Sequence, residues 1–188
     1  KFEVCGHKWA DLGEHGYGVS LLNDCKYGYD IKDGCMRLTL LRSGTSPNTD
    51  ADREVHTFCY SLYPHGGGWQ QAGTVRQAYD LNYPMLSMAM EAQTGSLPPA
   101  LSLVEPDGEN AVVEVFKQAE DGDGFIVRLY EAFNRSVDAG LRFFRGIRSI
   151  EECDLMERPM QGSRVELDGD TVRFHLKALE IKTFRVRF

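Results

Sequence analysis

The chain has 188 residues, with 21 Lys and Arg against 28 Asp and Glu and a formal net charge of -7. That balance excludes a nucleic-acid partner, which needs a basic face to neutralise phosphates, and no apolar run of about 18 residues is present to span a membrane. The five cysteines, Cys5, Cys25, Cys35, Cys59 and Cys153, are odd in number and form no CxxC pair, so neither a zinc knuckle nor a disulfide framework is expected, and reduced thiols in the cytoplasm are the natural reading.

Taken in order, residues 1–5 (KFEVC) already alternate apolar and polar with no charged lead-in or cleavage site, as expected of a cut through a larger protein. Residues 17–22 and 36–41 alternate in the same way and read as two strands joined by an elaborated turn. That turn carries Asn23, Asp24, Cys25, Lys26, Tyr27 and Tyr29, an acid, a base and two phenols on one short segment, and loops held by a sheet are where binding groups collect. The second strand ends at Arg42.

Residues 55–63 (VHTFCYSLY) read as a half-buried strand. The run 64–68 (PHGGG) predicts a backbone-permissive break. Residues 69–80 shift to helical spacing, with Trp69, Ala72, Val75, Arg76 and Tyr79 near one face, and predict one short helix ending before Pro84. Short strands are expected at 86–90 and 101–104.

A turn cluster at 106–110 (PDGEN) sets a domain boundary at 105/106. Beyond it, strands are expected at 111–117, 124–133, 140–146, 164–167, 171–177 and 181–188, punctuated by turn formers. The fold class is therefore mainly β: antiparallel β-sandwich domains with one short helix. Residues 1–105 form part of a larger sandwich, and 106–188 form a small immunoglobulin-like one without its Cys and Trp hallmarks. Strands lacking their neighbours leave open edges, which predicts self-association.

For chemistry the local signals are sparse. The five histidines stand in HKW, HGY, HTF, HGG and HLK contexts, none paired with a second ligand at metal-site spacing. Only His65, beside three glycines, is placed in a loop able to face a ligand, and a turn role competes with that reading. There is no GxSxG elbow, no phosphate loop and no GxGxxG between strand and helix. The cation of Lys26 beside Cys25 does not by itself activate a thiol. Asn134-Arg135-Ser136 fits the glycosylation pattern, which occurs often by chance.

The strings GVSLLNDCKYGYD (18–30), FEVCGHKWADLGEHGYG (2–18), LTLLRSGTSPNTDAD (38–52) and FCYSLYPHGGGW (58–69) together resemble the C-terminal region of glycoside hydrolase family 38, the α-mannosidases, in its bacterial and cytosolic branch. The resemblance implies β-sandwich domains that follow a catalytic barrel, with the catalytic domain of the same polypeptide as partner and α-mannosides as substrates of the intact enzyme. It also implies a zinc ion in that catalytic domain, held by an element beginning His-x-Asp, which does not occur here. No cofactor is expected in this piece.

A retaining glycosidase needs two carboxyl groups about 5 Å apart. Asp24 and Asp30 are the local candidates, and capping a turn through backbone N–H groups is the alternative for both. No catalytic residue is assigned. The resemblance places Asp24, Lys26 and Tyr27 on the turn and Arg42 at the strand end as substrate-rim or interdomain residues. Arg42 offers five donors in a fixed fork, suited to sugar hydroxyls or a carboxylate, and an interdomain ion pair is its other role. The competing function is an independent carbohydrate-binding sandwich that stacks sugars on Tyr27, Tyr29, Tyr63 and Trp69, side chains equally at home in a core.

Overall fold

The structure, a computed structural model, describes residues 3–188. Two compact units divide the chain, Lys1–Met90 and Glu91–Phe188. Residues 91–103 are irregular, and the expected boundary at 105/106 lies 15 residues beyond this division, inside the strand Val104–Asp107 that pairs within the second unit. The opening run 1–5 lies partly outside the described residues, and its last two form β1.

In the first unit β1 (Val4–Cys5), β2 (Trp9–Glu14), β3 (Tyr17–Asn23), β4 (Gly28–Lys32), β5 (Cys35–Thr39) and β6 (Tyr60–Gly66) precede α1 (Thr74–Asn82). They make two antiparallel sheets, ordered β2-β3-β6 and β1-β4-β5. The strands expected at 17–22 and 36–41 are β3 and β5, but they lie in different sheets. The connection between them is itself partly a strand, β4, which pairs β5 across a tight hairpin at Asp33-Gly34, both with positive φ. Turn composition concealed β4 because its Gly and Asp are turn formers as well as strand residues in a well-paired ladder.

Three further expectations are corrected. The strand at 55–63 starts only at Tyr60 and continues through the predicted break to Gly66, while Val55 is 97% exposed. Pro64 is tolerated because Val19↔Pro64 alternates with the hydrogen-bonded rungs, so the missing N–H faces away from β3. The helix starts at Thr74 rather than Trp69, since 69–73 is a turn. Residues 86–90 form no strand: Leu86 is fully exposed, and alternation without a partner strand does not make a sheet.

The second unit contains β7 (Val104–Asp107), β8 (Ala111–Gln118), β9 (Phe125–Glu131), β10 (Val137–Phe143), β11 (Ser149–Cys153), β12 (Val165–Asp168), β13 (Thr171–Leu176) and β14 (Ile181–Arg187). Its antiparallel sheets are β12-β13-β10-β7 and β11-β14-β9-β8. Six of these strands match expectation. β7 occupies the start of the predicted turn cluster, and β11 was not foreseen, because its Glu-Glu pair hides an alternation satisfied by ion pairs. Between the sheets lie Val127 and Leu129, Leu141 and Phe143, Val172 and Phe174, and Phe184 and Val186, the alternate inward positions of four strands. The rings of Phe174 and Phe184 approach to 4.8 Å.

Candidate functional site

The turn linking β3 to β4 is fixed from below. Asn23 ends β3 with no exposed surface. Its side-chain amide donates to the Tyr29 hydroxyl, its carbonyl oxygen Oδ1 accepts the Lys26 N–H at 2.9 Å, and its backbone oxygen accepts Asn82 Nδ2 at 2.9 Å. The Tyr29 hydroxyl in turn donates a hydrogen bond to the Leu21 carbonyl at 3.1 Å. Tyr29 is 1% exposed, and burial outweighs the Asn23 bond in pushing its phenol pKa up. Buried polar groups satisfied this fully rigidify what they carry.

Above that base stand three of the four sequence-predicted residues. Asp24 faces Cys59 on the rung beyond Asn23↔Tyr60: its N–H donates to the Cys59 carbonyl at 3.2 Å, and its Oδ2 accepts the Cys59 N–H at 3.0 Å. That backbone bond, followed by one from the Cys25 thiol, holds the Asp24 carboxyl below its ordinary range. Lys26 Nζ lies 5.0 Å over the Phe58 ring. Tyr27 is exposed and leans on His7 with ring centroids 4.6 Å apart.

The fourth, Arg42, lies exposed beyond β5, whose end at Thr39 is earlier than expected. Its backbone N–H and that of Ser43, at 2.8 Å, turn toward the Asp52 carboxylate. The Ser43 bond is the main cause that lowers the Asp52 pKa, with smaller contributions from Arg42, His56 and Lys26. The 40–59 loop, which carries Arg42, is thus braced internally by Asp52 and tied to the turn at Asp24; Lys26 also contacts it through Phe58, and Tyr27 does not. Asp30, the other acid considered for a carboxylate pair, bonds Arg37 at 2.8 Å across the β4–β5 hairpin, a structural pairing distinct from that of Asp24.

The sequence reading missed a second polar cluster. His65 is buried in β6, not in a loop, and its Nε2 lies 2.8 Å from Asp11 Oδ1. The same oxygen accepts the Ser20 hydroxyl at 2.7 Å, and Ser20 bonds Thr74 at 2.9 Å, fastening α1 to β3. Both His65 and Ser20 converge on one aspartate oxygen instead of on each other, an arrangement that holds a helix and does not activate a nucleophile. Cross-strand register brings these residues together, which linear spacing cannot display. Among the described residues no three His, Cys, Asp or Glu side chains gather to hold a metal ion.

Glycosyl hydrolases family 38 C-terminal domain matches residues 1–50, and the family 38 C-terminal beta sandwich domain matches residues 110–184. The chain belongs to the C-terminal region of glycosyl hydrolase family 38. Alpha-mannosidase G of Dictyostelium discoideum is 39% identical over 98% of this chain and 17% of its own length. Alpha-mannosidase 2C1 of Homo sapiens is 36% identical over 96% of the chain and 18% of its own length. This family 38 segment therefore spans about a fifth of the curated relatives it matches. An alpha-mannosidase from Enterococcus faecalis V583 shares the fold, with a TM-score of 0.78 at 21% identity over 97% of this chain and 21% of that one.

Proposed function

We propose that this chain is the non-catalytic C-terminal β-sandwich portion of a cytoplasmic, retaining α-mannosidase that hydrolyses terminal non-reducing α-D-mannose. Its role is to support the catalytic domain of the same polypeptide and to line the rim of that domain's pocket. The observation that carries the reading is the buttressed turn: Asn23, Tyr29 and Asn82 are committed to holding it, leaving Lys26 on Phe58 and Arg42 exposed on the loop it anchors. A guanidinium and an ammonium presented on a fixed frame suit hydroxyl or carboxylate recognition. The names of the curated relatives supply the substrate class.

The zinc expected in the intact enzyme belongs to its catalytic domain. The residues here do not fit it, having neither a His-x-Asp element nor a cluster of three ligands among those described, and no step is assigned to the metal in this chain. The alternative of a free-standing sugar-binding module is disfavoured by its own aromatics. Tyr29 is buried, the Tyr63 hydroxyl donates to the Ala72 carbonyl at 2.9 Å, and Trp69 packs on Trp9 at 4.9 Å.

The test is hydrolysis of an aryl α-mannoside by the 188-residue chain with added zinc, beside calorimetric titration of α-mannobiose. Neither turnover nor saturable heat is expected. Turnover overturns the non-catalytic reading, and saturable heat supports the binding module.

A further inference from the structure

Beyond α1 the chain runs from Pro84 to Met90 with no helix, bridge, turn or bend. Residues 85–90 (MLSMAM) carry no charge, and with the period of two that an extended chain imposes, Leu86, Met88 and Met90 fall on one side and Met85, Ser87 and Ala89 on the other. Met85 and Leu86 stand almost wholly in solvent, Met88 is 81% exposed and Met90 69%. Among the described residues no backbone hydrogen bond joins 85–90 to another element. Apolar alternation, full exposure and an unpaired backbone together are the properties of a strand without its sheet. Six extended residues span about 20 Å, an ordinary strand length, and Pro84, which has no N–H to give, stands where a strand can begin. Left bare, such a segment is a template for pairing with another chain, and here no charged residue guards it.

We propose that residues 85–90 are a strand donated to a sheet in the rest of the same polypeptide, where the backbone completes that sheet's ladder and Leu86, Met88 and Met90 turn onto its apolar face. The proposal rests on the chain being one portion of a longer α-mannosidase. The segment matched here covers only 17% of alpha-mannosidase G and 18% of alpha-mannosidase 2C1, so most of each relative lies outside it. A recipient in the same polypeptide is favoured over a second copy of the chain because covalent linkage keeps it at a high effective concentration. Pairing supplies what the segment lacks, partners for its N–H and C=O groups and cover for three large apolar side chains, and unbranched thioethers adapt to the face that receives them.

The test is amide hydrogen exchange of the intact polypeptide beside the 188-residue chain, read by mass spectrometry on peptides that cover 85–90. In the intact polypeptide these amides are expected to exchange at least about tenfold more slowly than in the 188-residue chain. Met88→Lys, which sets a charge on the covered side, is expected to abolish that slowing while β3 keeps its protection. Free exchange at 85–90 in the intact polypeptide overturns the proposal, because side-chain packing without pairing leaves amides open. Slowing in the 188-residue chain that grows with its concentration also overturns it, making a second copy the occupant, as does slowing that survives Met88→Lys. Hydrolysis of an aryl α-mannoside by the same intact polypeptide separates the two readings: activity with free exchange at 85–90 removes the pairing alone, and slow exchange without activity removes the mannosidase reading alone.

Discussion

Glu131 shows how one buried charge is kept. It is 1% exposed and accepts Asn110 Nδ2 and the N–H groups of Phe133, Arg135 and Leu179 at 2.9–3.2 Å. Burial is the largest single influence and pushes the carboxyl pKa up, yet the four donors together outweigh it and leave the value below the ordinary 4.5. A group whose pKa falls on folding stabilises the protein above its unfolded value and loses that contribution as pH drops below it. Glu131→Ala strands several donors and is expected to cost about 3 kcal/mol at neutral pH. The deficit should narrow below pH 4.5 in denaturant titrations, and a pH-independent deficit contradicts the account. Asn23→Ala removes the support of both Lys26 N–H and Tyr29. It is expected to cost about 2 kcal/mol, and amide exchange at Lys26 should quicken while the second unit is unchanged.

At the scale of elements, the edge strand β6 carries its own safeguard. Tyr60 and Leu62 are 55% and 66% exposed, so the strand would invite pairing with another chain, but Pro64 removes a donor from its outer edge. Pro64→Val restores that donor, and light scattering is expected to show more concentration-dependent association for the variant than for the parent chain. Equal behaviour would mean that this edge takes no part in association. The corner between β3 and β4 works by a different device, passing the chain from one sheet to the other over a buried amide and phenol.

Across the whole molecule, the second unit was largely legible in the sequence, because Val127-Leu129, Leu141-Phe143 and Phe184-Val186 repeat with period two and the turns between them carry Gly, Asp or Asn. The first unit was less so. Strand β4 reads as a turn, and the apolar run at 86–90 reads as a strand without a partner to make it one. The site divided in the same way. Composition and family resemblance marked Asp24, Lys26 and Arg42, while the rung to Cys59, the Asp52 clamp on the 40–59 loop and the Asp11–Ser20–His65 cluster depend on register, which no single strand reveals.

The tip of the β4–β5 hairpin has a practical corollary. Asp33 and Gly34 project where a side chain added at Gly34 would meet no atom within 4 Å, and the flanking Lys32 and Cys35 are exposed. A short epitope or fluorophore-binding peptide spliced between Asp33 and Gly34 should leave the sheet intact, giving microscopists a handle on this region away from the 40–59 loop.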